Sequence, residues 1–197
     1  VSAARLEVRS LAASRGSVTL FRGVSFALGP GEIAAVRGPN GSGKTTLLRC
    51  VAGLTRADAG EITLSGDLIY AGHLPGIKDD LDAEENLGFA LRMRGVVPGD
   101  GAVRRALARV GLDSRRRLAA RRLSAGQRRR IGLARLQLDP APIWILDEPL
   151  AALDAEGEAL LGERLVEHLD GGGLALVATH HELPLAGRAV RELGLRP

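Results

Sequence analysis

Apolar positions in the N-terminal third come in short groups separated by glycine. The stretches 6–11, 18–21 and 24–28 alternate or cluster apolar residues over strand lengths, and Gly16 and Gly23 between them predict tight turns joining antiparallel strands. EIAAVR (32–37) predicts a buried strand, followed at once by a glycine-rich stretch and an apolar helix that ends near Gly53. Two more strands are expected at 61–65 and 67–70. From about residue 84 to residue 138 the spacing becomes helical, in ENLGFALRMR, AVRRALARVG and GQRRRIGLARLQL. Strands return at 143–147 and 174–179, on either side of a helix over 155–169 that the glycines 171–173 end, and 189–195 is a last candidate strand. Strands and helices thus alternate at both ends of the chain around an all-helical insertion, which predicts an α/β core carrying a helical subdomain. No repeat or low-complexity linker interrupts this plan.

With 197 residues the chain suits one domain, with a core over about 1–72 and 139–197 and the helical part over about 84–138. No apolar run approaches the ~20 residues of a membrane-spanning helix, and Arg5, Glu7 and Arg9 break any signal-peptide pattern, so a soluble chain that stays in the cytoplasm is expected. Cys50 is the only cysteine, which leaves no internal disulfide and no CxxC pair. The formal charge of +4 comes from arginines clustered at 104–105, 115–117, 121–122 and 128–130. Such clusters suit a nucleic-acid surface, a solvated helix face or a surface resting near anionic lipid; without interleaved aromatics for base stacking, no nucleic-acid partner is expected.

GPNGSGKT (38–45) fits G-x-x-x-x-G-K-[ST] directly after a buried strand and directly before a helix, where that pattern has physical meaning. Gly38, Pro39, Asn40, Gly41, Ser42 and Gly43 let successive backbone N–H groups face phosphate oxygens, and the helix N-terminus beginning toward Thr46 adds partial positive charge. Lys44 is expected to reach the β and γ phosphates of ATP, and the Thr45 hydroxyl to ligate Mg²⁺. IWILDEP (143–149) predicts a strand buried on both faces that delivers Asp147 and Glu148 to its C-terminal edge, where open α/β sheets bind ligands. Because neighbouring side chains on a strand point to opposite sides, the two carboxylates are expected to divide the work, with Asp147 in the Mg²⁺ shell and Glu148 orienting or deprotonating the attacking water.

LSAGQ (123–127) follows in the right order. Alone, Ser124 and Gln127 have the spacing of a capping box. Together with the two earlier motifs the chain resembles the ATP-binding-cassette (ABC) ATPases, whose fold is a P-loop NTPase with a mixed sheet core, N-terminal antiparallel strands and an inserted helical subdomain. The resemblance implies that two copies close head to tail around ATP, so that Ser124, Gly126 and Gln127 of one cover the γ-phosphate held by the other. An uncapped helix start at Ser124 with a close-approach glycine would suit that anion. ALD (152–154) looks like the loop that crosses the dimer interface, while Asp154 equally suits the N-cap of the next helix. His180, at the end of ATH (178–180), resembles the switch histidine on the γ-phosphate, with His181 incidental.

Two departures stand out. Family members place a glutamine about a dozen residues before a Glu-Asn pair, and counting back from Glu85 lands on His73 in GHLPGIKDD. An imidazole there would add a proton sensitivity that glutamine lacks. The usual base-stacking aromatic is replaced by Arg15, 23 positions before Gly38, which leaves ATP and GTP both open. GHLPGIKDDL, ENL, LSAGQRRR and WILDEP together are similar to the haem-exporter ATP-binding subunits of bacterial cytochrome c maturation. That resemblance implies an ATPase working with an integral membrane permease, peripheral on the cytoplasmic face of the inner membrane, and binding no haem itself. Another small exporter, or a soluble ABC ATPase acting on nucleic acid or the ribosome, are the alternatives.

Overall fold

The N-terminal alternation builds two long strands, β1 (Arg5–Arg15) and β2 (Val18–Leu28), paired antiparallel across a two-residue turn at Gly16 and Ser17. In this computed structural model, residues 3–72, 76–185 and 187–195 are described. Gly23 does not separate two strands as the sequence suggested. It lies inside β2 with φ 67°, where the register with β1 slips between Leu11↔Val24 and Ala13↔Phe21. A glycine at positive φ forms a bulge in a continuing strand as readily as a turn, and here the bulge keeps Phe21 and Phe26 both buried. A second bulge on β1 centres on Ser10 (φ 46°) and is matched on β4 (Ala59–Ser65), the strand on β1's other side. A Cβ on Gly60 would lie 2.5 Å from the Arg9 carbonyl oxygen, so only glycine fits there.

The remaining strands form a second sheet. β3 (Ile33–Arg37), β5 (Leu68–Ala71), β6 (Ile143–Asp147), β7 (Leu174–Ala178) and β8 (Arg191–Gly194) pair all-parallel in the order β5-β6-β7-β3-β8. The expected mixture of antiparallel and parallel strands is thus divided between two sheets. Every residue of β6 and β7 is buried, as parallel strands covered on both faces require, which explains their unalternating sequences. The last strand is shorter than the apolar pattern at 189–195 suggested, and it pairs with β3.

By its internal contacts the chain divides into two compact units. The first comprises Val1–Ala71, Ala141–Pro149 and Leu165–Pro197, and the second Gly72–Pro140 and Leu150–Arg164. In the first, α1 (Lys44–Val51) packs Leu47, Leu48 and Val51 into a core with Leu6, Val8, Phe21, Val36, Ile145 and Leu176. It ends at Gly53 (φ 70°), whose N–H bonds the Cys50 carbonyl while the Leu54 N–H bonds that of Arg49, the glycine-terminated stop anticipated from sequence.

The second unit is built on α2 (Ala83–Arg92), α3 (Ala102–Arg109) and α4 (Ala125–Leu138), which bury Leu87 and Leu91, Leu107, and Ile131 and Ala134 respectively. Asp82 and Glu85 close a capping box on α2. Buried Asn86 donates to the carbonyls of Lys78, Leu81 and Asp82 and accepts from the Lys78 N–H, fixing the preceding loop to the helix. A last helix, α5, spans Ala155–Asp170.

Candidate functional site

The glycine-rich loop leaves β3 at Gly38 and enters α1 at Lys44. Gly38 (φ 153°) has no room for a side chain, since a Cβ would meet Ser42 Oγ at 2.6 Å, and Gly43 (φ 95°) is pressed against Leu20 and Phe21. Gly41 (φ 84°) faces open space, so its glycine answers to backbone conformation alone. Lys44 is 7% exposed, and its Nζ donates to the carbonyls of Gly38 (2.8 Å) and Pro39 (3.1 Å), which curls the ammonium over its own loop. Ser42 Oγ is buried with no hydrogen-bond partner among the described residues. An orphaned buried hydroxyl in a glycine-rich loop at a helix N-terminus is what a phosphate oxygen would satisfy.

Asp147 ends β6 and is 1% exposed. Its Oδ2 is 3.5 Å from the Tyr70 hydroxyl, while Oδ1 has no hydrogen-bond partner among the described residues. Burial first, and then the Asp147 charge, push the Tyr70 phenol above its ordinary value and keep it a neutral donor. Among the described residues no cluster of three or more His, Cys, Asp or Glu could hold a metal by itself. That fits Mg²⁺, which commonly takes one or two protein oxygens and leaves its other positions to water and substrate phosphate. The buried, half-partnered Asp147 carboxylate and the Thr45 hydroxyl in the first turn of α1 form a donor set of that kind.

The separation of the two carboxylates has a different origin from the strand alternation expected. β6 stops at Asp147, and Glu148 adopts φ 49°, a left-handed conformation that costs a non-glycine residue about 1–3 kcal/mol. Its N–H still bonds the Ala178 carbonyl, so the strained residue is held against β7. Its Oε1 lies 2.9 Å from His180 Nε2. The carboxylate and imidazole singled out separately in the sequence therefore meet at the same sheet edge. His181 takes part through its backbone: its N–H donates to Thr179 Oγ1 and its carbonyl accepts from Arg37.

In the second unit, Ser124 starts α4, but that helix start is capped, contrary to the uncapped terminus expected. Ser124 Oγ accepts from the Gln127 N–H at 3.2 Å and Gln127 Oε1 accepts from the Ser124 N–H at 3.0 Å. The capping box satisfies two amides, those of Ser124 and Gln127, and leaves those of Ala125 and Gly126 outside it. A Cβ on Gly126 would lie 2.9 Å from the Ala152 carbonyl oxygen, so close approach of the 150–154 loop already demands glycine. Asp154 accepts from the Gly157 N–H at 3.0 Å, which makes it the N-cap of α5.

Asp154 is also gripped by Arg130, a residue the sequence did not single out. Buried Arg130 donates through Nη2 to both Asp154 oxygens (2.7 and 2.9 Å) and to Glu156 (2.7 Å), and through Nη1 to the Val110 carbonyl (3.0 Å). The Arg130 hydrogen bond is the main cause holding the Asp154 carboxyl below its ordinary range. Ser124, Gly126, Gln127, Arg130, Ala152 and Asp154, with Arg115, line one open groove of about 580 Å³. Arg15 sits exposed at the β1–β2 turn, paired with Val18. His73 lies outside the described residues.

The family model for ABC transporters matches residues 21–151. The Methylococcus capsulatus cytochrome c biogenesis ATP-binding export protein CcmA is 44% identical over 199 residues, covering 95% of this chain and 96% of that protein. CcmA 1 of Salmonella paratyphi A is 45% identical over 203 residues, 96% of each. A Pyrococcus furiosus structure described as an ABC transporter ATP-binding protein superposes with a TM-score of 0.84 over 97% of both chains at 24% identity, a likeness of fold.

Proposed function

This chain belongs to the ABC transporter family, whose ATP-binding proteins are ATPases, and from that premise we propose that it is the motor subunit of a membrane complex for haem export in cytochrome c biogenesis. Identity of 44–45% over nearly the whole length to proteins named for that process supports the assignment. The observation that carries the ATPase chemistry is the sheet edge where a lysine-closed phosphate loop, an orphaned buried carboxylate oxygen and a Glu–His pair occur together.

In this reading the triphosphate displaces the Gly38 and Pro39 carbonyls as partners of Lys44, and the amides of residues 41–46 receive its oxygens. Thr45 and Asp147 hold Mg²⁺, which when bound neutralises charge on the β and γ phosphates. Glu148 orients the attacking water, and His180, tied to Glu148 before nucleotide arrives, contacts the γ-phosphate. Preformed geometry of this kind lowers the barrier because little reorganisation remains for the reaction itself.

Ser124, Gly126, Gln127 and Asp154 face the nucleotide held by a second copy, so ATP closes the dimer and hydrolysis releases it. The integral membrane partner docks on the helical unit. Phe89, Met93 and Val97 are exposed there (39%, 72% and 87%), a concentration of large apolar side chains that suits a covered surface. No helix among the described residues is long and apolar enough to cross a membrane. In this reading the partner holds the chain at the cytoplasmic face. Haem is handled by the partner.

The test is complementation of a strain lacking the chain, read by haem staining of its c-type cytochromes. The wild type restores staining, whereas Lys44→Ala and Glu148→Gln do not. An active ATPase that leaves staining absent would assign the motor to a different exporter.

A further inference from the structure

Arg37 is the last residue of β3, immediately before the phosphate loop, and its guanidinium is committed on both sides. Nη1 carries two hydrogens and donates both, to the Thr179 carbonyl at 2.9 Å and to the His181 carbonyl at 2.5 Å. Nε lies 3.4 Å from Glu192 Oε1. The sheet order explains the reach: β3 has β7 on one side and β8, which carries Glu192, on the other. The two carbonyls taken by Nη1 belong to the residues directly before and after His180. The same turn is closed from within by Thr179 Oγ1, which accepts the His181 N–H at 3.0 Å, while the Thr179 N–H donates to Val36. Among the described residues the His180 imidazole pairs with Glu148, and Arg37 holds the carbonyls on either side of it.

We propose that Arg37 is a positioning residue for the hydrolytic step, holding the 179–181 turn so that the His180 imidazole stays on Glu148 and on the line of the γ-phosphate. The proposal rests on the reading of His180 given above. A guanidinium suits the task because its planar fork satisfies two carbonyls from Nη1 while Nε meets a carboxylate, a fixed spread of donors that the single nitrogen of an ammonium on a flexible stem does not have. The effect belongs to rate rather than affinity, because the phosphate amides and Lys44 lie on the loop itself and do not depend on the turn. Misplacing a reacting contact by about 1 Å costs on the order of a hundredfold in rate.

The experiment is steady-state ATP hydrolysis by the complex that co-purifies with the full chain, comparing Arg37→Met, His180→Ala and the double variant. Arg37→Met is expected to lower kcat roughly ten- to a hundredfold while KM for ATP stays within about twofold. The double variant is expected to be no slower than His180→Ala, since removing a positioner costs nothing once the group it positions is gone. Should Arg37→Met fail to fold by thermal melting, Arg37→Lys carries the test, with an expected fall of about three- to tenfold. Wild-type kcat in either variant, or parallel losses in kcat and affinity, overturns the proposal, as does a double variant slower than His180→Ala by the full Arg37 factor. If His180→Ala alone hydrolyses like the wild type, the underlying reading of the site falls, and this inference with it.

Discussion

The two halves of the candidate site are held by opposite means. On the phosphate side, the groups that would face ligand are left incomplete: among the described residues Asp147 Oδ1 and Ser42 Oγ have no hydrogen-bond partner, Lys44 donates to carbonyls of its own loop, and Glu148 sits in a strained conformation. On the signature side nearly everything is already satisfied: the α4 start is capped, Gly126 is packed against Ala152, and Asp154 is held by Arg130 and the Gly157 amide. Unsatisfied buried polar atoms store binding energy for a ligand, whereas satisfied ones keep a surface in shape without one. In the proposed reading the first half binds and reacts, and the second presents a fixed surface.

Lys44→Ala should break the phosphate side most severely. A lost charge contact to the transferring phosphate costs about 10²–10³ in hydrolysis, and the melting-temperature rise that Mg-ATP gives the wild type should vanish. An unchanged rise would mean that nucleotide binds elsewhere. On the signature side, Arg130→Met should lower stability by only about 1–2 kcal/mol, because Asp154 and Glu156 regain water when their partner is removed. It should also loosen the 150–154 loop, seen as faster amide exchange at Gly157. Loss of activity with that amide still protected would assign Arg130 some other role.

Two glycines of α4 sharpen the contrast. Gly132 has open space around it, so Gly132→Ala should stabilise by about 0.5–1 kcal/mol, whereas Gly126→Ala, 2.9 Å from a carbonyl oxygen, should destabilise by about 1 kcal/mol. Urea midpoints moving the same way for both would dispute the packing reason for Gly126.

The smallest effect is one of pH, away from both halves. His168 stacks on Trp144 with ring centroids 3.8 Å apart, and burial pulls its proton affinity below the ordinary value of 6.5, partly offset by the Leu174 and Pro142 carbonyls. The unfolded chain takes up a proton near 6.5 that the folded chain refuses. Stability is therefore complete above that pH and declines below it, at no more than about 1.4 kcal/mol per pH unit, until the folded-state value is passed. His168→Phe should flatten this decline in urea midpoints between pH 7.5 and 5, and an identical slope would place the titration elsewhere.

Local patterns were readable where the chemistry is local. The phosphate loop, the Asp-Glu pair and the strand-ending histidine each depend on spacing within a few residues, and β3, β6 and β7 announce themselves by unbroken apolar runs. Gly23 was ambiguous because a turn and a bulge ask the same φ of glycine, and only the register with β1 decides between them. The capping box at Ser124 was written in the S-x-x-Q spacing, yet its priority over an open helix terminus depends on rotamers. Arg37 and Arg130 were not legible. Arg37 meets its carbonyls 142 and 144 residues away, and among 25 arginines no periodicity marks these two.

The most direct measurement is the mass of Glu148→Gln in solution with and without saturating Mg-ATP. Binding on the phosphate side of each copy, and closure by the signature side of the other, predicts one nucleotide retained per chain and a species of twice the monomer mass that disperses when ATP is removed. Nucleotide-loaded material that stays at the monomer mass would contradict the division of labour between the two halves.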